Sequence, residues 1–136
     1  MRKKIQIGFT LIELLVVISI LAILITLGLT SFASAQKKSR DAKRKADLRD
    51  YKNALEQYYS VCGMVYPTPA SDSYEPIICW SPTTIGMLDP LPYDPRSGDP
   101  YLCPTPVTDN CNEFGYVLCA QLESESPSEY CVYSSQ

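Results

Sequence analysis

The chain contains no histidine. A histidine general base and a Ser-His-Asp relay are therefore excluded, and so is a mixed Cys/His zinc site. No Cys-x-x-Cys pair occurs, which argues further against structural zinc. Cations are scarce in the second part of the chain. Residues 50–136 hold two, Lys52 and Arg96, against twelve Asp/Glu. A region so acidic is poorly suited to phosphate contacts, so nucleic acid binding there is not expected. The acids show no spacing diagnostic of a glycosidase pair. No enzymatic activity is expected. Helix breakers are also missing, but only from residues 9–62, where Gly28 is the single one.

What is present divides sharply. Residues 1–49 hold ten Lys/Arg and three Asp/Glu, so a basic stem precedes the acidic remainder. The stem opens with the short basic segment Met1-Arg2-Lys3-Lys4-Ile5-Gln6-Ile7-Gly8. An apolar run follows from Phe9 to Phe32. As a helix it would be about 36 Å long at 1.5 Å per residue, enough to cross a hydrocarbon core of about 30 Å. The run carries one acid, Glu13. An ionisable side chain in a span is costly and is a functional site by default.

The helix is expected to continue past the span. Residues 36–50 are rich in Ala, Lys, Arg and Asp, without Gly or Pro. Leu48, Tyr51, Leu55, Tyr58 and Cys62 then recur at three- and four-residue steps, forming one apolar face, and Gly63 is the natural stop. Beyond it, ten prolines between Pro67 and Pro106 cut the chain into short pieces. Phe114–Leu122 and Glu129–Tyr133 read as strands of a hairpin turning near Glu125, which sets Cys119 opposite Cys131. Tyr101-Leu102-Cys103 is a candidate third strand.

Six cysteines, Cys62, Cys79, Cys103, Cys111, Cys119 and Cys131, all follow the span. An even count in a small, loop-rich region reads as a disulfide framework in an oxidising compartment. Fifteen connectivities are open; chain order favours Cys119–Cys131, then Cys62–Cys79 and Cys103–Cys111. Sixty-odd Pro-rich residues have a marginal core alone, so the helix face and the disulfides must support it. The expected fold class is α+β. A long N-terminal helix, with a transmembrane half and an amphipathic half, packs on a small disulfide-stapled antiparallel sheet. The expected segments are a leader (1–8), a transmembrane half (9–32), a basic then amphipathic half (33–62) and a head (63–136).

Gly8, Phe9 and Glu13, with Arg2, Lys3 and Lys4 upstream and the Leu/Ile/Val run downstream, resemble the class III leader of type IV pilins and pseudopilins. The resemblance implies cleavage between Gly8 and Phe9 by a prepilin peptidase and methylation of the new Phe9 amine. It also implies partners: other copies in a helical filament, other pilins, and an inner-membrane assembly platform. The chain would be stored in the membrane, single-pass with an extracytoplasmic head, before joining a periplasmic or cell-surface filament. Secretion, DNA uptake and surface fimbriae are all open as uses. Leu91-Pro92-Tyr93-Asp94-Pro95-Arg96-Ser97-Gly98-Asp99-Pro100-Tyr101 looks loosely like the Pro-Asp-Pro-Trp-Gly-Asn-Pro-Tyr loop of major pseudopilins. Arg96 stands where that pattern has Trp, and one residue is inserted before Gly98. Some major pseudopilins bind calcium near such loops. Asp94, Asp99, Asp109 and Glu113 are suitable oxygen donors, but their spacing matches no motif; they are expected to be solvated, with no cofactor and no metal assigned.

A carboxylate buried among packed helices needs a partner or a proton. The family resemblance pairs Glu13 of one subunit with the Phe9 amine of a neighbour. A local pair is the alternative, because helix side chains tilt towards the N-terminus and bring Glu13 near its own Phe9 amine. Arg2, Lys3 and Lys4 favour a cytoplasmic N-terminus, yet Lys37, Lys38, Arg40, Lys43, Arg44 and Lys45 count the other way. The cysteines and the leader decide for an extracytoplasmic head. The Lys37–Arg49 run itself is expected to be a solvated helix face. Docking on acidic heads of neighbouring subunits, anionic lipid or DNA are its other readings. Trp80, Tyr74 and Tyr93 are expected to pack in the core or to serve adhesion. A monomeric membrane-anchored binding module is the competing function. It would need neither the Gly8-Phe9 junction nor Glu13.

Overall fold

The computed structural model describes residues 9–80 and 84–136, with the backbone alone at 27–30. Residues up to Gln36 form one unit, and Lys37 onward form another. Helix α1, Leu11–Val61, begins in the first unit and ends in the second.

In the first unit the helix is apolar on every side. Leu11, Ile12, Leu14, Ile18, Ile23 and Leu24 are all exposed. A helix that is greasy all round belongs in a membrane or in a bundle of its own kind. This part of α1 is long and apolar enough to cross a bilayer. Two of its hydroxyls bond within the helix: Ser19 Oγ donates to the Val16 carbonyl at 2.8 Å, and Thr26 Oγ1 to the Ala22 carbonyl at 2.9 Å. No hydroxyl of the pair needs water.

In the second unit α1 becomes one-sided. Leu48, Tyr51, Ala54 and Leu55 are buried, while Arg49, Asp50 and Gln57 face out. Tyr58 is only half-buried. The helix ends by the mechanism that Gly permits. Gly63 takes φ +98°, and the Met64 N–H donates to the Tyr59 carbonyl at 3.0 Å, a Schellman closure.

Two small antiparallel sheets cover the helix face. The first pairs β1 (Ile77–Cys79) with β2 (Ile85–Leu88). Nothing in the sequence periodicity announces it, because four residues or fewer cannot display an alternation. The second has the order β3-β4-β5, from Cys111–Asn112, Gly115–Gln121 and Glu129–Tyr133. A single turn of helix, α2 (Val107–Asn110), precedes β3. In β4 the alternation is clean. Tyr116, Leu118 and Ala120 point into the core, and Val117 and Cys119 do not. Cys119 stands opposite Cys131, and the Leu122 N–H closes the turn on the Ser128 carbonyl at 2.6 Å. Residues 101–103 form no strand. Leu102 makes one isolated bridge, to Ser73, and the third strand is β3 instead. Pro100 and Pro104 flank the segment and have no N–H to extend a ladder.

The core is built largely of tyrosine: Tyr51, Tyr66, Tyr74, Tyr101 and Tyr116 are all buried. Their rings meet edge-on, at 6.1 Å for Tyr51–Tyr101 and 5.1 Å for Tyr66–Tyr116. Trp80 and Tyr93 stay exposed, so only Tyr74 of the three singled-out aromatics is a core residue. Three disulfides join Cys62 to Cys79, Cys103 to Cys111 and Cys119 to Cys131. The first ties the end of α1 to β1, the second leads into β3, and the third crosses the β4–β5 hairpin.

Candidate functional site

The start of α1 is where the acid of the apolar run sits. Thr10 is the N-cap. Its side chain oxygen accepts a hydrogen bond from the Glu13 N–H at 3.3 Å. In return Glu13 Oε2 accepts from the Thr10 N–H at 3.0 Å and from the Thr10 hydroxyl at 2.8 Å. This is a reciprocal capping box, and its Thr-x-x-Glu spacing is visible in Thr10-Leu11-Ile12-Glu13. That spacing is the sequence signal for the cap, and the leader resemblance does not depend on it. The cap satisfies two N–H groups that a helix start would otherwise leave open. Both bonds to the carboxylate from Thr10 fall on one oxygen. Phe9, at 81% exposure, lies beside Ile12, Glu13, Val16 and Val17 along a shallow apolar groove. Gly8 lies outside the described residues.

The second charged centre is in the head unit. Arg44 is buried, and three carboxylates converge on it. Its guanidinium lies 2.9 Å from Asp41, 2.6 Å from Asp94 and 2.9 Å from Glu123. Asp41 is itself fully buried. It accepts from the Glu123 N–H at 2.9 Å, the Ser124 N–H at 2.8 Å and the Ser124 hydroxyl at 2.6 Å. It thus holds the first residues of the β4–β5 turn. Arg40 grips Glu123 with two parallel bonds of 2.8 and 2.6 Å. Lys43 and the buried Tyr101 hydroxyl meet at Asp47, at 3.0 and 2.9 Å. Lys45 pairs with Glu125.

The basic run is therefore not a solvated face at Arg40, Arg44 and Lys45. Those side chains are folded onto the chain's own acidic head. The reason is electrostatic. A buried guanidinium requires several carboxylates and hydrogen bonds to offset its desolvation, and the three acids supply them. Asp94 is likewise not a solvated loop acid. It accepts from the Arg96 and Ser97 N–H groups at 2.8 and 3.1 Å while its carboxylate faces Arg44. Gly98, at φ +77°, lets the loop turn back so that Gly98 N–H reaches the Asp94 carbonyl.

Ionisation follows this geometry. Burial would raise the Asp41 carboxyl, but bonds from Ser124, from the Glu123 and Ser124 N–H groups and from Arg44 outweigh it and lower it to about 2. Arg40 lowers Glu123 to about 2 against the opposing effect of burial, helped by Arg44. Arg44 holds Asp94 well below the usual carboxylate range. A fourth acid, Glu56, is lowered although burial opposes it. It accepts from the Ser135 N–H and the Tyr116 and Tyr66 hydroxyls, tying the chain's last residues to α1.

Asp94 and Asp99 meet in one loop, where the Asp94 N–H donates to the Asp99 carbonyl at 2.9 Å, but among the described residues no three of Asp94, Asp99, Asp109 and Glu113 gather as metal-competent donors. Among the described residues, the close group of three metal-competent donors is Cys119, Glu129 and Cys131. Two of its three donors are consumed in a disulfide.

Residues 3–29 match the family described as the prokaryotic N-terminal methylation motif. The chain is 34% identical over 108 residues to the type II secretion system core protein G of Aeromonas hydrophila, across 74% of each chain. No solved structure matches. The long apolar-to-amphipathic helix, the disulfide-bonded α+β head, the methylation motif and this relative lead to one conclusion: the chain belongs to the type IV pilin and type II secretion pseudopilin family, whose members are structural subunits.

Proposed function

We propose that the chain is a prepilin, a filament subunit awaiting the removal of its leader. Residues 1–8 are the leader, and a prepilin peptidase cuts between Gly8 and Phe9. The Phe9 amine so created is methylated. Residues 9–32 hold the subunit in the cytoplasmic membrane with the head outside, and later pack in the filament core. Residues 33–62 carry the head, residues 63–136. An inner-membrane assembly platform and other pilins complete the set of partners.

One observation carries this reading. The single acid of an otherwise uncharged, exposed apolar helix surface is held at the helix start, four residues from Phe9, by bonds from Thr10 to one carboxylate oxygen. A charge fixed there is costly for a simple anchor. It becomes useful when a new amine appears close by. Glu13 of one subunit then pairs with the Phe9 amine of its neighbour and sets the axial register of helices that are otherwise smooth Leu/Ile/Val rods.

The test is a Glu13→Leu variant in cells that assemble the wild-type chain. Membrane insertion and leader removal should persist, while sheared surface or periplasmic material contains no regular filaments. Normal filaments from the variant would overturn the pairing. A wild-type chain that stays uncleaved and monomeric would overturn the whole reading in favour of a membrane-anchored binding module.

A further inference from the structure

The cations of α1 differ in what they meet. Arg40, Lys43, Arg44 and Lys45 are paired within the chain, whereas Lys37, Lys38, Arg49 and Lys52 make no ion pair among the described residues. Lys38, Lys45, Arg49 and Lys52 follow one another at steps of seven, four and three residues, which places them along one flank of the helix. Lys45 is held by Glu125 and lies 5.6 Å from the centre of the Tyr130 ring. Lys38, Arg49 and Lys52 make no ion pair among the described residues; Lys38 and Arg49 are exposed and Lys52 is half-buried.

The head shows the opposite surplus. Asp72, Glu75, Asp89, Asp99, Asp109 and Glu113 are exposed and make no ion pair among the described residues. Asp72 and Glu75 are three residues apart on the loop that carries the buried Tyr74, and both are exposed. Internal pairing thus leaves a basic flank and an acidic edge on the same molecule. One copy does not close both; two copies can.

Resting on the filament-subunit reading, we propose that the Lys38–Arg49–Lys52 flank is an interaction surface for the acidic head edge, Asp72 and Glu75, of a second copy of this chain. Lipid is the weaker fit. The flank runs from Lys38 to Lys52, about 21 Å of helix, while a headgroup layer is only about 5–8 Å deep on each side. A helix crossing the bilayer would offer lipid its first cation alone. Nucleic acid would be repelled by the acidic head. Single exposed pairs are weak, but repetition along a filament multiplies them, and salt screens them.

The experiment uses the full chain in assembling cells. Arg49→Glu with Lys52→Glu should cut filament yield by about tenfold or more, as expected for like charges brought face to face. Adding Asp72→Lys and Glu75→Lys to the same chain should restore assembly by reversing both sides. Intact disulfide mapping and protease resistance report that the head has folded. A milder Lys38→Gln/Arg49→Gln variant, expected to lower yield and to sharpen its salt sensitivity, serves if the reversals misfold. Wild-type yield from the reversed flank would overturn the proposal. So would a loss that the head reversal does not restore, including one that follows reduced binding to anionic vesicles. Glu13→Leu is the parallel control. If it assembles normally the register pairing fails, and if the flank variants assemble normally only the present surface fails.

Discussion

The two parts of α1 handle charge differently. In the apolar part a single acid, Glu13, is met by the backbone and hydroxyl of Thr10, three residues away. In the part that carries the head, the cations of α1 reach carboxylates fifty to eighty-three residues away, at Asp94 and Glu123. Local pairing satisfies the acid of the first part within one turn of helix. Long-range pairing ties the second part of the helix to the Asp94 loop and to the β4–β5 turn.

Arg44 gives the sharpest way to break this contrast. Arg44→Met should destabilise the head by about 3–5 kcal/mol, because removing one partner strands Asp41, Asp94 and Glu123 without their cation. Denaturant unfolding of the detergent-solubilised full chain would measure it. Leu55→Ala, a cavity in the fully buried helix face, should cost about 2–5 kcal/mol by the same measurement. A smaller effect for Arg44→Met than for Leu55→Ala would show that the charges decorate the head instead of holding it.

Acid probes the network without mutation. Asp41 and Glu123 are lowered from 3.8 and 4.5 to about 2. Groups whose folded values are depressed contribute stability above their unfolded values and lose it as pH falls towards the folded ones. Head stability should therefore decline from about pH 4.5 to about pH 2, and Arg44→Met should flatten that decline. An unchanged slope in the variant would separate Arg44 from the titration. The smallest effect is expected at the helix start. Thr10→Val should cost about 1 kcal/mol of local helix stability. Hydrogen exchange confined to the first turn would report it, with no change in the head.

Much of the fold was legible in residue order. The unbroken stretch from Leu11, the Leu48–Leu55 face and the Gly63 stop all depend on neighbours within one or two turns. So does the β4–β5 hairpin, whose alternation and polar turn put Cys119 opposite Cys131. The β1–β2 pair and the failure of residues 101–103 to form a strand were not legible. Very short strands have no period, and only their partners decide whether they form. Of the candidate site, the Thr10–Glu13 cap could have been read from spacing alone.

The sequence by itself determined where a helix runs, where it turns from apolar to one-sided, and where an acid and its cap stand. These follow from local periodicity and from side chains three or four residues apart. Only the tertiary structure decided the fate of the charges. A basic stem and an acidic head are visible in a count, but a count does not say which cation is buried. Arg44 is chosen because it lies on the same face as Leu48 and Tyr51, where the hairpin turn and the Asp94 loop close over it. Lys38, Arg49 and Lys52 lie on a neighbouring flank, where among the described residues a head carboxylate pairs only with Lys45.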